Sequence, residues 1–345
     1  MTIRLRTAFL FGLAGILIWF LYIERVILTP FVLAAIFAYI FNPVINFFSQ
    51  RIRFPRTISI IVIYLIILWL LVIFGMFLAG QIVNESSQLN NFIASLPSIT
   101  QNQFSILPDW ARPMVQDIFS SFEKLKIFSL DSILNFFPQA VSRVIGFFIF
   151  IFSGFYFLKE GVNMMGRLLK FAPNDYKPGI EILLNKINNV LSRYLRGQLL
   201  LVFLVSFALF IALSVLGIKF ALILAIFSGF AEIVPIIGPI FATAVAALVV
   251  LIDGRVNFGL TPIQGAIAVV ITYFLIRQIQ DYFVTPHIMG KIVKLHPLVI
   301  LFAVLAGEHV MGILGIILAV PIAATIRIIL DFSLDKINDR GRSVK

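Results

Sequence analysis

The sequence predicts an all-α polytopic membrane protein that crosses the bilayer about eight times. Composition is the first reason: 61% of the residues are hydrophobic and 12% are charged, whereas a soluble domain carries about 25% charged residues. The second reason is a series of apolar stretches, each approaching the roughly 20 residues that one crossing needs. These stretches lie at 7–23, 27–48, 57–83, 141–158, 198–216, 220–235, 237–252 and 263–284, and a further apolar tail covers 297–330.

The first stretch resembles a secretory signal, because Arg4 and Arg6 precede its apolar run. No small-residue cleavage site follows, since Glu24 and Arg25 come next. We therefore expect it to be retained as the first helix.

Two of the apolar regions contain breaks, near 230–240 and 297–312. The pair 220–235 and 237–252 is short for two crossings, so it is predicted to form two half-helices, a tight hairpin or a kinked pair. The tail 297–330 must enter and return on one side, as a re-entrant hairpin, unless the number of crossings is wrong by one.

Lys and Arg predict the orientation, because they are enriched in short cytoplasmic loops. Segment 159–197 is rich in both and is expected to be cytoplasmic, whereas segment 84–140 has more acidic than basic residues and is expected to be extracytoplasmic. Both segments have amphipathic helical periodicity. They are predicted either to pack on the bilayer surface or a neighbouring subunit, or merely to connect spans. The chain is thus expected to form one transmembrane domain, 1–345, with both termini in the cytoplasm.

Several classes of function are disfavoured. The chain has no cysteine, which excludes disulfides, thiol catalysis and cysteine metal sites, and its three histidines lack the spacing of a zinc site. There is no phosphate-binding loop of the Walker type and no helical H-E-x-x-H pattern. The net charge of +11 comes from residues at the ends of apolar runs and does not indicate nucleic acid. We expect no enzyme activity, cofactor or metal, and any uphill transport would use an ion gradient or a partner.

The most informative feature is the break Glu232-Ile-Val-Pro235-Ile-Ile-Gly238-Pro239 inside apolar sequence. Proline removes a backbone hydrogen bond that lipid cannot replace, so such a break is tolerated where it packs in protein or lines a wet cavity. A buried Glu232 carboxylate could carry a proton or bind a cation. An acid costs roughly 2–3 kcal/mol near the bilayer centre, which favours a functional role for it. The alternative is that Glu232 caps a half-helix or is paired and inert, and that the break is only a tight turn.

Two further groups are candidates for a gate or for coupling. Arg277 and Asp281 are four residues apart, on one helix face, and form either a gate at the cytoplasmic mouth or an interfacial ion pair. Glycines three apart in the tail let helices approach closely or unwind. Glu308 and His309 are expected at the tip of the tail hairpin, either in a proton-linked step or merely solvated. The tail residues of interest are Gly307, Glu308, His309, Gly312, Gly315 and Pro321. Residues 216–252 and 295–330 share a plan of apolar half-helix, break and apolar helix, which indicates an internal repeat.

Four stretches resemble a known family. They are Pro30-Phe-Val-Leu33 with Tyr39, Asn42-Pro-Val44 and Pro55-Arg56; Tyr194-Leu-Arg-Gly-Gln198; Phe220-Ala-Leu222 with Glu232 to Pro239; and Thr285-Pro-His-Ile-Met-Gly290 with Leu295-His-Pro-Leu-Val299, Ala306-Gly307, Gly312, Gly315 and Ala319-Val-Pro321. Together these stretches resemble the AI-2E family of transporters, also known as PerM-like permeases, over nearly the whole chain. The pair Glu308-His309 departs from the family, which more often has small or less polar residues there.

The resemblance implies an inner-membrane protein of seven or eight spans with both termini inside. It implies a homo-oligomer, with a pentamer as one candidate form. Family members are described as exporters of autoinducer-2, a small sugar-derived signal, and others are linked to sodium/proton antiport. Three hypotheses follow: a secondary exporter or facilitator of a small polar solute, a cation/proton antiporter, and a membrane scaffold that does not transport. The costly break near Glu232 favours transport over a scaffold, and the small number of acids at membrane depth favours the solute.

Overall fold

Long apolar helices dominate the computed structural model, which describes residues 23–77, 136–170, 174–254, 256–289 and 295–342, together with Gly12, Gly15 and Trp19. Every regular element within these ranges is helical, as predicted. The predicted first span, 7–23, and the extracytoplasmic segment 84–140 lie largely outside the described residues.

Ten α-helices are described. They are α1 (Arg25–Arg51), α2 (Arg56–Phe77), α3 (Phe136–Lys170), α4 (Lys177–Val215), α5 (Ala221–Ala231), α6 (Ile237–Asp253), α7 (Pro262–Ile279), α8 (Thr285–Ile288), α9 (Pro297–Met311) and α10 (Ile313–Arg342). A π-helix, Gln280–Val284, joins α7 to α8. Six segments of the described chain are long and apolar enough to cross a membrane, and α5, α6 and α9 are shorter apolar helices.

The chain divides into two units, one of residues 1–47 and 148–345 and one of residues 48–147. The second unit holds α2, whose first turn is tied by a bond from the Ser59 hydroxyl to the Pro55 carbonyl at 3.3 Å. The helical hairpins and the candidate site all belong to the first unit.

The amphipathic segment predicted at 159–197 is not a separate element. Its first part continues α3 to Lys170, and its second part is the start of α4, a single helix of 39 residues. At 1.5 Å per residue α4 is about 58 Å long, far more than the roughly 30 Å of a bilayer core. The helix continues because no proline lies beyond its first turn, where Pro178 is tolerated.

Helices α5 and α6 form a tight hairpin, which selects one of the three arrangements predicted for 220–252. Residues 232–236 make the turn, and α5, with 11 residues, rises only about 16 Å, half of a bilayer core. The ends of the hairpin meet, because Lys219 Nζ lies 3.3 Å from Asp253 Oδ1. Asn257 then bonds the carbonyls of Val215 and Leu216 at the end of α4. The hairpin therefore opens at the Val215 end of α4.

Helices α9 and α10 form a second hairpin, and α10 is itself long and apolar enough to cross a membrane. The re-entry of the tail on one side stays a prediction. The turn of the hairpin is at Gly312, where φ is 58°. A Cβ atom on Gly307 would overlap the carbonyl of Gly315, and a Cβ atom on Gly315 would overlap the carbonyl of Gly307. Glycine is therefore required at both positions for the helices to approach this closely. The Arg25 guanidinium donates to the Val310 carbonyl at 2.9 Å beside the turn.

A small buried cluster joins the second hairpin to α4. It consists of Tyr194, Leu195 and Val320, with partly buried Tyr39 and Ile300 among the side chains packed against it. Pro321 follows directly in α10 and is fully buried. The two hairpins share the helix–break–helix plan that the sequence predicted.

Candidate functional site

Glu232 lies in the turn of the first hairpin, directly after α5. Its amide donates to the Ser228 carbonyl at 3.1 Å, which completes the last turn of α5. The chain then reverses through Pro235 and through Ile236, whose φ is 70°. Gly238 packs against the Ala231 carbonyl, where a Cβ atom would overlap. These residues form the predicted break, and they leave the Glu232 side chain only 8% exposed.

The Glu232 carboxylate is held by two donors from the next long helix. Arg277 Nη1 and Gln280 Nε2 each lie 2.7 Å from Glu232 Oε1. Arg277 Nε in turn donates to Asp281 Oδ2 at 2.8 Å. The predicted Arg277–Asp281 pair is therefore present, and it is joined to Glu232 in one network, a link that was not predicted from the sequence.

The network runs from a buried end to an exposed end. The exposed fraction of the side chain is 8% for Glu232, 30% for Arg277 and 46% for Asp281. One guanidinium thus links a carboxylate that is shielded from solvent to one that is accessible. Arg277 holds both carboxylates at once, and it keeps the charge of the buried Glu232 paired, because an unpaired buried charge is costly.

Local helix geometry aims Arg277 and Gln280 at the same carboxylate. Residues three apart in a helix share one face, and Gln280 is the first residue of the π-helix. Single π-helical turns within α-helices are frequent at functional sites. Gln280 is 4% exposed, so its amide requires a buried partner, and Glu232 provides it.

Two hydroxyl groups lie on the other side of the site. Ser228 Oγ is 2.7 Å from the Leu224 carbonyl and 2.7 Å from the Tyr273 hydroxyl oxygen. A serine hydroxyl has one proton, and the carbonyl can only accept it. Tyr273 therefore donates to Ser228, and the remaining lone pairs of both oxygens can accept a further donor or a cation.

A cavity of about 20 Å³ lies between these groups, which is space for about one water molecule. It is too small for a sugar-sized solute in this conformation. Its lining mixes apolar and polar side chains: Val205, Leu209, Ser228, Glu232, Pro239, Ala242, Tyr273, Ile276, Arg277 and Gln280.

The predicted site residues fall into two groups. Glu232, Pro239, and Arg277 line the cavity, Pro235 and Gly238 shape the turn beside it, and Asp281 pairs with Arg277. The tail residues Gly307, Glu308, His309, Gly312, Gly315 and Pro321 belong to the second hairpin and do not line the cavity. Glu308 and His309 are exposed in the last turn of α9, close to Gly312.

Three members of the site were not predicted from the sequence: Ser228, Tyr273 and Gln280. Gln280 carries a usable signal, since it lies one helical turn beyond Arg277. Ser228 has one as well, because it is four residues before Glu232 and shares its helix face. Tyr273 has none that we can identify, because a tyrosine in an apolar span is an ordinary packing residue.

The long apolar helices and the two hairpins define an integral membrane protein that spans the bilayer several times. A buried acid, paired with Arg277 beside a small polar cavity, lies within it. The chain belongs to the AI-2E family, described as AI-2E family transporter, whose profile matches residues 8–335. It is therefore a membrane transporter by family.

Named relatives of the chain support this assignment. The chain is 30% identical to "Putative transport protein YueF" of Bacillus subtilis (strain 168), over 86% of this chain and 82% of the relative. It is 26% identical to "Putative transport protein YrrI" of the same organism, over 89% of this chain and 86% of the relative. It is also 22% identical to "Sodium-lithium/proton antiporter" of Halobacillus andaensis, over 84% of this chain and 85% of the relative.

Proposed function

We propose that the chain is a secondary transporter that exports or facilitates the passage of a small polar solute, such as an autoinducer-2-like signal, with Glu232 as its coupling residue. One observation carries the proposal: the Glu232 carboxylate is buried at a helix break, beside a polar cavity, in an ion pair with Arg277. A purely structural membrane helix gains nothing from such a costly group. Membership of a transporter family supports the same conclusion.

The ion-pair network offers two alternative states. With Glu232 charged, Arg277 pairs with both Glu232 and Asp281, and Gln280 adds a second donor to Glu232. When Glu232 binds a proton or a cation, its electrostatic attraction to the Arg277 guanidinium weakens. Arg277 then stays paired with Asp281 on the more exposed side. A ligand that binds one state better shifts the balance between them, which is the requirement for coupling.

The size of the cavity makes the present conformation a closed one. A sugar-derived solute needs far more than about 20 Å³, so the first hairpin must move away from α4 or α7 for passage. The Arg277–Glu232 pair joins the tip of that hairpin to α7. Opening therefore requires this pair to break or to be carried along, which links the charge of Glu232 to access.

Sodium/proton antiport is a second candidate, favoured by the same cavity. A space for one water also holds a single small cation, and carboxylate and hydroxyl oxygens are the ligands that hard cations prefer. Glu232, Ser228 and Tyr273 supply such oxygens. The relative named as a sodium-lithium/proton antiporter adds support. Arg277 counts against it in the present state, because its charge opposes a cation at the same carboxylate.

Reconstitution separates these candidates. Purified protein in liposomes is given a sodium gradient with an internal pH dye, and in parallel an internal load of the autoinducer-2-like solute. We expect solute efflux that Glu232→Gln abolishes and Glu160→Gln leaves intact, since Glu160 pairs with Arg167 away from the site. Sodium-dependent proton flux lost in Glu232→Gln would instead establish antiport. If both the solute flux and the proton flux stay at the level of empty liposomes, the result contradicts transport by this chain alone.

We also infer that the protein acts as a homo-oligomer in the inner membrane, with both termini in the cytoplasm. The family resemblance supports the assembly, and the distribution of Lys and Arg supports the orientation. Crosslinking of the protein in native membranes, followed by mass determination, tests the assembly, and a monomer at all crosslinker concentrations would contradict it.

A further inference from the structure

One helical turn near the centre of α4, Tyr194–Gln198, contacts four separate parts of the first unit. Tyr194 and Leu195 pack in the buried cluster with Val320 of α10. Arg196 Nε donates to the Tyr39 carbonyl of α1 at 2.9 Å. Of the remaining two residues of the turn, Gly197 approaches the end of α8 and Gln198 contacts the backbone of Glu232.

Gln198 contacts the residue that carries the buried acid. Its Nε2 donates to the Glu232 backbone carbonyl at 3.1 Å. This carbonyl lies at the C-terminal end of α5, where helix carbonyls lack partners within the helix. The bond therefore ties the backbone of Glu232 to α4.

Gly197 contacts the segment that follows Arg277 and Gln280. A Cβ atom placed on Gly197 would lie 3.0 Å from Met289 Cγ and 3.1 Å from Ile288 Cγ2. These distances are tighter than ordinary van der Waals contact, so glycine permits the close approach of α4 to the end of α8. Adjacent residues of α4 thus contact the Glu232 backbone and the end of the helical segment that follows Arg277 and Gln280.

We propose that Gln198 is a positioning residue for Glu232. It acts through the backbone of Glu232 and keeps the carboxylate in reach of Arg277 and Gln280, so that the charged state of the site is stabilised. The proposal rests on the proposed role of Glu232 in coupling. It gives a physical role to Gln198, the last residue of the motif Tyr194–Gln198, which lies outside the ion-pair network.

A simpler role would be that Gln198 only caps the end of α5. A cap stabilises the fold without changing how Glu232 binds protons, whereas a positioning residue changes both. The decisive quantity is therefore the pH at which Glu232 becomes protonated, measured independently of transport.

The measurement uses dicyclohexylcarbodiimide, an apolar reagent that modifies protonated carboxyl groups. The full-length protein in liposomes is labelled at a series of pH values, and modification of Glu232 is quantified by mass spectrometry. We expect Gln198→Met to raise the half-labelling pH by about 0.5–1 unit, which corresponds to the loss of roughly one hydrogen bond. Gln198→Asn withdraws the amide by one methylene group, so it should shift the midpoint in the same direction by less.

Gln278→Met is the matched control, since it makes the same change in α7 and Gln278 has no bond to Glu232 in the network. The proposal would be overturned if both Gln198 variants kept the half-labelling pH of wild type and only their melting temperature fell. That result would leave the role of Glu232 intact. The separate failure of the proposed function would be seen as solute and proton fluxes that Glu232→Gln does not change.

Discussion

Arg277 and Glu232 form an ion pair with 2.7 Å between Nη1 and Oε1, although 45 residues separate them in the chain. The pair joins the turn of the first hairpin to α7. Its acid is buried and its base is partly exposed, so the pair connects a protected cavity with a more accessible surface through Asp281. The consequences of this arrangement can be tested directly.

Removing the base should cost more than removing both partners. Arg277→Gln leaves the buried Glu232 without its arginine. We expect a loss of about 2–3 kcal/mol, less than the roughly 3–5 kcal/mol of a fully buried pair, because Arg277 is partly exposed. The double variant Glu232→Gln/Arg277→Gln should recover at least half of this loss. Denaturant unfolding in mixed micelles, followed by the helical signal, measures both. Arg167→Gln, in an exposed pair, is the control and should change stability by less than about 1 kcal/mol. Equal losses in the single and double variants would contradict a coupled pair.

The close approach of α9 and α10 should depend on two glycines. Gly307→Leu or Gly315→Leu would place side chains against a carbonyl of the facing helix, so we expect the hairpin to separate and the folded yield and melting temperature to fall. Overpacking of this kind costs about 1–3 kcal/mol or more. Gly146→Leu is the control, because a Cβ atom there has nothing within 4 Å. Wild-type stability in the Gly307 variant would show that the two helices do not need this contact.

The hairpin geometry predicts the sidedness of two loops. The chain has no cysteine, so single cysteines can be introduced at Tyr176, before α4, and at the exposed Phe258, after α6. We expect an impermeant maleimide to label position 176 from the cytoplasm and position 258 from outside, because α4 crosses once and the first hairpin returns to its side of entry. Labelling of both positions from one side would mean that α5 and α6 together cross as one kinked span.

The Tyr273 hydroxyl should discriminate between the two proposed cargoes. Tyr273→Phe keeps the ring and removes one oxygen from the cavity, while Ser228 retains its bond to Leu224. If a cation binds there, the sodium concentration for half-maximal proton flux should rise about tenfold, equivalent to roughly 1.4 kcal/mol, with little change in stability. Tyr282→Phe, at an exposed tyrosine, is the control. An unchanged sodium dependence would argue against a cation ligated by Tyr273.

Local patterns predicted much of the fold. Apolar length predicted the helices, and the prolines and glycines of 232–239 and 307–321 predicted that two apolar regions would be broken. The Arg277–Asp281 pair was also predictable, because residues four apart in a helix are neighbours whatever the rest of the chain does. The continuous α4 was not predicted, since a change from amphipathic to fully apolar character does not by itself end a helix.

The sequence alone therefore determined that this protein is helical, lies in a membrane, contains two breaks in apolar sequence, and places a lone acid at one of them. Only the tertiary structure decided that Arg277 is the basic side chain that pairs with this acid. It also decided that Ser228, Tyr273 and Gln280 complete the site and that Gln198 bonds the Glu232 backbone. The physical reason is that helix periodicity specifies neighbours within about one turn, whereas contacts between residues 34 to 48 positions apart depend on how the hairpin packs against α4 and α7.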